Sequence, residues 1–199
     1  DLLSEEAPSM STDEVVELTN TALMSTRHLQ KLVNNLLERF TIDAGLFHLK
    51  CRPVVIEDVI QTNVSIMLPL LLRRRQWLIL EVSDDLPVTW ADPDRLGQVL
   101  INLIDNASKF SPFGTAIILS AKYQQDALLI SVLDSGSGID LPNPEDVFMP
   151  YFTTGKLPGS PSGAGLGLPV VKAIIEAHGG RVGAENYPEG GSRFWFTIP

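Results

Sequence analysis

Residues 93–109 constrain this chain more tightly than any other stretch. At about 100° per residue, Leu96, Val99, Leu100, Leu103, Ala107 and Phe110 fall on one arc of a helix, and Gln98, Asn102, Asp105, Asn106 and Lys109 fall on the opposite arc. The apolar arc requires a core to lie on. The polar arc is unusual in its chemistry, because exposed helix faces are ordinarily built from Glu, Lys and Arg, whereas asparagine is a poor helix former. Asn102 and Asn106, one turn apart, offer two neutral carbonyl oxygens, and Lys109 adds a cation one turn further on. Hard oxygens beside a cation suit a phosphate–magnesium assembly, since magnesium keeps waters and takes few protein ligands. A plain polar exposed face is the alternative reading.

The remaining pattern supplies the core. Two alternating runs, 115–123 and 127–133, are a hairpin apart. Strands are expected at 54–56, 77–82, 181–186 and 192–198, with a short extended piece at 88–90. Helices are expected over 57–72 and 166–178, and Pro69 followed by three arginines marks a candidate early stop for the first. This order of hairpins and helices predicts an α+β class, a two-layer sandwich with one mixed sheet covered by helices on one face. The stretch 134–164, rich in Gly, Pro and Ser, is too long for an idle connection.

The N-terminal part reads differently. Ser11 and Glu14 have capping-box spacing. Beyond them Leu18, Ala22, Ser25, Leu29, Leu32 and Leu36 recur at steps of four and three, fading toward Ala44 and stopping at Gly45. A helix of about thirty residues with one apolar stripe needs a partner helix, from another chain or from a segment outside this sequence. Packing lengthwise on its own domain is the alternative. The chain therefore divides into a helical region, 1–45, and a domain, 50–199.

Composition narrows the functions open to it. A 199-residue chain with 24 acidic and 15 basic residues carries a net charge of −9, which disfavours a nucleic-acid backbone binder. A single cysteine, Cys51, excludes an internal disulfide framework and a cysteine-clustered metal site, and fits a reducing compartment. No apolar run approaches the ~20 residues of a membrane helix, and the acidic start is unlike a signal peptide. The expectation is a soluble, cytoplasmic chain with no membrane segment, whose full-length protein could still be membrane-anchored.

Two glycine strings remain. DSGSGID at 134–140 follows an apolar strand, where alternating glycines let backbone approach a ligand closely and an aspartate can accept from an exocyclic amine such as that of adenine. GAGLGL at 163–168 opens a helix, whose free N–H groups can cradle phosphate. It is neither a Walker loop, lacking Gly-Lys-Ser/Thr, nor a Rossmann fingerprint. Each string alone is weak, a turn or a flexible loop as readily as a site.

Together, in order, they resemble the catalytic ATP-binding domain of sensor histidine kinases, within the gyrase, heat-shock-ninety, histidine-kinase and MutL superfamily. The likeness covers about residues 50–199. DPDRLGQVLINLIDNASKFSP at 92–112 is similar to the N box, 134–140 to the first glycine box, VFMPYFTT at 147–154 to the F box and 162–168 to the second glycine box. AHGG at 177–180 and GGSRFWFTIP at 190–199 resemble the family's closing segment. The resemblance implies a Bergerat-type fold, ATP and Mg²⁺ as cofactors, and transfer of the γ-phosphoryl group to a histidine for relay to a response regulator. It implies Asn106 as the magnesium ligand with Asn102 beside it, Lys109 on phosphate and Phe110 packed by the nucleotide. Asp134 would bind the adenine amino group, with Gly136, Gly138 and Ile139 lining the pocket. Gly163, Gly165, Leu166, Gly167 and Leu168 would meet the phosphates. Residues 141–162 would form a mobile lid pinned by Phe148 and Phe152, with Lys156 a candidate cation for the γ-phosphate.

Two departures matter. The N-terminal helix resembles the second helix of the dimerisation and phosphoacceptor domain, but none of His28, His48 and His178 has the acidic residue and proline expected after a phosphoacceptor. The acceptor is expected on a dimerisation helix absent from this chain, so weak or no dimerisation is expected here despite a full-length homodimer. Gyrase-type ATPases also carry a glutamate one turn before the magnesium asparagine, and here that position is Asn102, which cannot act as a general base. Transfer to histidine is therefore favoured over hydrolysis. A partner- or nucleotide-binding module without kinase activity and a serine kinase of the same fold are the rival readings.

Overall fold

The computed structural model describes residues 11–43, 47–149 and 167–199, apart from some side chains of the N-terminal helix. That helix, α1 (Thr12–Asp43), begins at the expected capping box: Glu14 Oε2 accepts from Ser11 N–H and from Ser11 Oγ at 2.8 Å, and Ser11 Oγ accepts from Glu14 N–H at 3.3 Å. These bonds pull the Glu14 carboxyl below its ordinary range. Leu18 is half-buried, while Ala22, Leu23, Val33, Leu37 and Phe40 are exposed. The helix thus carries apolar surface that its own domain leaves uncovered. The side chains of Ser25, His28, Leu29, Leu32 and Leu36 lie outside the described ones.

Among the described residues, seven strands and three further α-helices follow. β1 (Arg52–Val54) and β3 (Thr89–Ala91) form a separate two-stranded antiparallel ladder. β2 (Trp77–Val82), β4 (Ala116–Gln124), β5 (Ala127–Leu133), β7 (Ser192–Ile198) and β6 (Val182–Asn186) form the main sheet in that spatial order. β2 and β4 run parallel and every other pair antiparallel, so the sheet is mixed. One rung, Val82, Ala121, Ile130, Phe196 and Val182, crosses all five strands. Because side chains alternate, that whole rung points to the same face.

On this face lie α2 (Ile56–Arg73), α3 (Pro93–Phe110) and α4 (Gly167–Ala177). Leu96, Val99, Leu100, Leu103 and Ala107 of α3 are buried, as their arc requires, against Ile117, Leu119, Ile130 and Phe196. Fully burying one such aliphatic side chain contributes about 1.5–3 kcal/mol. The opposite face of the sheet has no helix among the described residues and leaves Trp77 and Ile79 exposed. There the Trp195 indole lies across Gly183, where any Cβ would collide with the ring.

Three details differ from the sequence reading. β1 sits two residues earlier than 54–56, because Val54 pairs with Thr89 and Val55 is already the N-cap of α2. Pro69 does not stop α2. It lies on the exposed side while Met67 and Leu71 are buried, and this anchorage carries the helix to Arg73 despite the ~3 kcal/mol cost of an interior proline. Finally, a 3-10 turn at Pro144–Phe148 interrupts the expected loop, started by Asn143, whose side chain accepts from Glu145 N–H. It buries Val147 and sets Phe148 edge-on to Phe194, with ring centroids 6.4 Å apart.

Candidate functional site

Both ends of α3 are built to hold its polar arc in place. At the start, Asp92 Oδ1 accepts from the Asp94 and Arg95 N–H groups at 3.1 Å, and Oδ2 accepts from Lys50 N–H at 2.8 Å. The Asp92 N–H donates to His178 Nε2 at 3.0 Å, and His178 Nδ1 lies 2.8 Å from the Ile174 carbonyl. The ring is therefore the neutral Nδ1–H tautomer, tying the end of α4 to the start of α3. At the other end the buried Gln76 Nε2 donates to the Ser108, Ser111 and Pro112 carbonyls at 3.0–3.3 Å. Its Oε1 accepts from Ser108 Oγ at 2.6 Å. Carbonyls that an α-helix ordinarily leaves orphaned at its C-terminus thus find a side-chain donor.

Between these anchors the arc is less exposed than its composition suggests. Asn102 and Asp105 are buried, Asn106 and Lys109 half-buried, and Phe110 exposed. Asn102 lies under the start of α4: a Cβ on Gly167 would stand 3.4 Å from Asn102 Oδ1. Packing of α4 on α3 therefore brings Gly167, the last glycine of the second string, onto the polar arc. Lys109 Nζ pairs with Asp105 Oδ2 at 2.9 Å, which holds the ammonium one turn back along the helix.

Asp134 stands at the end of β5, 4% exposed. Its Oδ1 accepts from Gly136 N–H at 2.7 Å and Ser192 N–H at 3.1 Å. Burial pushes this carboxyl above its ordinary value, and the Gly136 and Ser192 bonds offset only part of the rise. A buried carboxylate that keeps one oxygen clear of both backbone donors is suited to accept from a ligand amine. The glycines are required here. A Cβ on Gly136 would lie 2.8 Å from the Phe110 carbonyl oxygen, and Gly138 has φ +86° with Asn186 Oδ1 2.8 Å from any Cβ. Ser111 Oγ accepts from Ser135 N–H at 3.0 Å, so the loop is also bonded directly to the end of α3.

At the C-terminal end of α3 the Phe110 carbonyl lies against Gly136, two residues after Asp134, and at the middle of α3 Asn102 lies under Gly167. Asn106 and Lys109 stand on the arc between them, Gly138 rests against Asn186, Ile139 is buried and Leu168 half-buried. Phe152, Lys156, Gly163, Gly165 and Leu166 lie outside the described residues. Sequence reasoning missed Gln76, Ser111, Asn186 and Ser192, and read His178 only as part of the closing segment. A cavity of about 900 Å³ between α2, α3 and Gln30 of α1 reaches Asn102 at its edge. Neither Asp134 nor Lys109 lines it, so it adjoins this cluster without being its centre.

Known proteins resemble this chain in sequence and fold. The family model for histidine kinase-, DNA gyrase B-, and HSP90-like ATPases matches residues 91–199, more than half of the chain. The chain is 35% identical over 187 residues to the sensor protein KdpD of Clostridium acetobutylicum, covering 92% of this chain and 20% of that protein. It is 33% identical over 183 residues to the adaptive-response sensory kinase SasA of Synechococcus elongatus, covering 92% and 47%. Full-length ShkA in complex with AMPPNP superposes with a TM-score of 0.80 at 30% identity, covering 98% of this chain and 40% of that one. The histidine kinase ThkA in complex with the response regulator TrrA shares the fold, with a TM-score of 0.76 at 23% identity over 100% of this chain and 55% of that one. The chain belongs to the histidine kinase-, gyrase- and HSP90-like ATPase family, as a catalytic ATP-binding domain of the sensor histidine kinase kind. It spans between a fifth and about half of the length of these curated relatives.

Proposed function

We propose that this chain binds Mg-ATP in the cluster around α3 and transfers the γ-phosphoryl group to a histidine carried on a helix outside the chain, for relay to a response regulator. The observation that carries the reading is Asp134, a buried carboxylate fixed at a strand end beside Phe110 and a glycine loop. In this reading Asp134 accepts from the adenine amino group, Gly136, Gly138 and Ile139 shape the base pocket, and Phe110 packs by the nucleotide. Lys109, oriented by Asp105, meets phosphate, and the start of α4 at Gly167 and Leu168 supplies N–H groups to the phosphates. Phe152, Gly163, Gly165 and Leu166 complete the assignment through the family resemblance.

Asn106 would hold the magnesium ion, with Asn102 one turn away. Among the described residues no group of three His, Cys, Asp or Glu side chains could hold a metal. An amide oxygen is a hard, neutral ligand, so the donor set fits an ion held jointly with phosphate oxygens. When bound, the ion would neutralise charge on the transferring phosphates. The protein's own contribution is position and charge: Asn102 offers no base to activate water, and Lys109 stabilises the phosphates. A neutral histidine nitrogen then forms the N–P bond as the bond to ADP breaks.

The region 1–45 would contribute the second helix of a dimerisation domain, and its exposed Leu23, Val33, Leu37 and Phe40 are the surface a partner helix would cover. The domain 50–199 would be the catalytic part. Titration calorimetry of ATP into the chain, with and without Mg²⁺, tests the reading. Binding lost in Asp134→Ala, and phosphotransfer to an added phosphoacceptor domain, are expected. Absence of ATP binding by the native chain would overturn it.

A further inference from the structure

Asn186 and Ser192 face each other at the turn end of the β6–β7 hairpin. Each holds one end of the 134–139 loop in both directions. The Ser192 N–H donates to Asp134 Oδ1 at 3.1 Å, and the Ser192 carbonyl accepts from Asp134 N–H at 2.9 Å. Asn186 Oδ1 accepts from Ile139 N–H at 2.6 Å, and Asn186 Nδ2 donates to the Ile139 carbonyl at 2.9 Å. Only one orientation of the amide satisfies both bonds, so the side chain acts as an extra rung on the strand. Gly138, at φ +86°, rests against the same Asn186 oxygen. The hairpin end is itself held by bonds from Tyr187 N–H to the Gly191 carbonyl and from Gly190 N–H to the Tyr187 carbonyl.

We propose that Asn186 is a positioning residue for the base end of the nucleotide site, acting through the Ile139 backbone and touching no ligand itself. The inference rests on the reading of Asp134 as the adenine-binding group. Ser192 sets where the carboxylate stands, and Asn186 sets where the far side of the loop stands relative to it. A planar base enters between these two ends, so loosening one widens the slot at a fixed carboxylate. ATP and ADP share the base end and differ only at the γ-phosphate, so the loss on removing the clamp falls equally on both.

The test uses the full 199-residue chain, with ATP and ADP titrated by calorimetry into the native protein, Asn186→Ala and Asn186→Asp. Loss of two side-chain bonds predicts Kd raised about tenfold for both nucleotides in Asn186→Ala, with stoichiometry unchanged. Asn186→Asp keeps the acceptor for Ile139 N–H and loses the donor, and is expected to fall between the two. Amide exchange at Ile139 should speed up in Asn186→Ala while Asp134 N–H stays protected. Unchanged affinity, a fall in stoichiometry alone, or a loss confined to ATP would each overturn the inference. If Asn186→Ala does not fold, the Asn186→Asp affinities and its Ile139 exchange decide the matter. No nucleotide binding by the native chain would overturn the Proposed function itself, a separate outcome.

Discussion

The main-chain N–H of Asp92 donates to His178 Nε2 across 86 residues of sequence, at 3.0 Å. Through this bond the N-terminus of α3 and the C-terminus of α4 are one structure, and the two helices that carry the candidate site cannot shift independently. His178→Ala leaves a buried backbone N–H without its acceptor and takes the imidazole donor from the Ile174 carbonyl, which keeps the main-chain N–H of residue 178. The expected loss is about 1–3 kcal/mol in urea unfolding with an unchanged m-value. Unchanged stability would show that water replaces the ring at no cost.

Asp134 makes stability and binding respond to pH in opposite senses. Its folded pKa is raised above the ordinary value of 3.8, so the fold favours the protonated acid. The stabilisation it contributes is present at the acid end and is lost as pH rises through the folded pKa. Asp134→Asn is therefore expected to be at least as stable as the native chain at pH 7, with a flatter pH–stability profile just above the ordinary carboxylate range. ATP affinity should run the other way in the native protein, weakening as pH falls into that window and the acceptor is protonated. A native profile that matches Asp134→Asn would refute the assignment.

Gln76 links the start of β2 to the end of α3. Gln76→Ala removes the amide donor from the Ser108, Ser111 and Pro112 carbonyls, of which Ser111 keeps Arg74 Nη2 and Pro112 keeps Thr115 Oγ1, and leaves the Ser108 hydroxyl without its acceptor. The expected cost is about 2–4 kcal/mol, measured by thermal or denaturant unfolding. Gln76→Glu keeps the shape and the acceptor, loses the donor and brings a charge into a buried site, so it should be no better than alanine. A fully stable Gln76→Glu would show that the amide is not the capping donor.

Cys51 lies beside Asp92, and burial together with that carboxylate raises its thiol pKa above 9.0. The thiolate is the reacting form, so iodoacetamide at pH 8 should modify Cys51 more slowly than it modifies free glutathione. Denaturant should restore the ordinary rate. Equal rates in the native state would contradict the environment described here.

Much of the fold was legible because its signals are local. The period of α3, the alternation of β4 and β5, and the Ser11–Glu14 capping box each depend on residues within a turn or two. The same holds for Asp134 and the glycines after it, whose order along the chain carried the family resemblance. Pro69 misled because its local cost is real, and only the burial of Met67 and Leu71 outweighs it. The 3-10 turn at Pro144–Phe148 was hidden because its anchor is Phe194, far along the chain.

The sequence alone determined which residues could make a core and which chemistry the polar arc of α3 could offer, since periodicity and side-chain type are properties of neighbours in the chain. Tertiary structure decided how that chemistry is held. Asn186 meets Ile139 across 47 residues, Ser192 meets Asp134 across 58 and His178 meets Asp92 across 86. None of these pairs has a local signature, because a hydrogen bond between distant residues exists only once the sheet register and helix packing have brought donor and acceptor within about 3 Å.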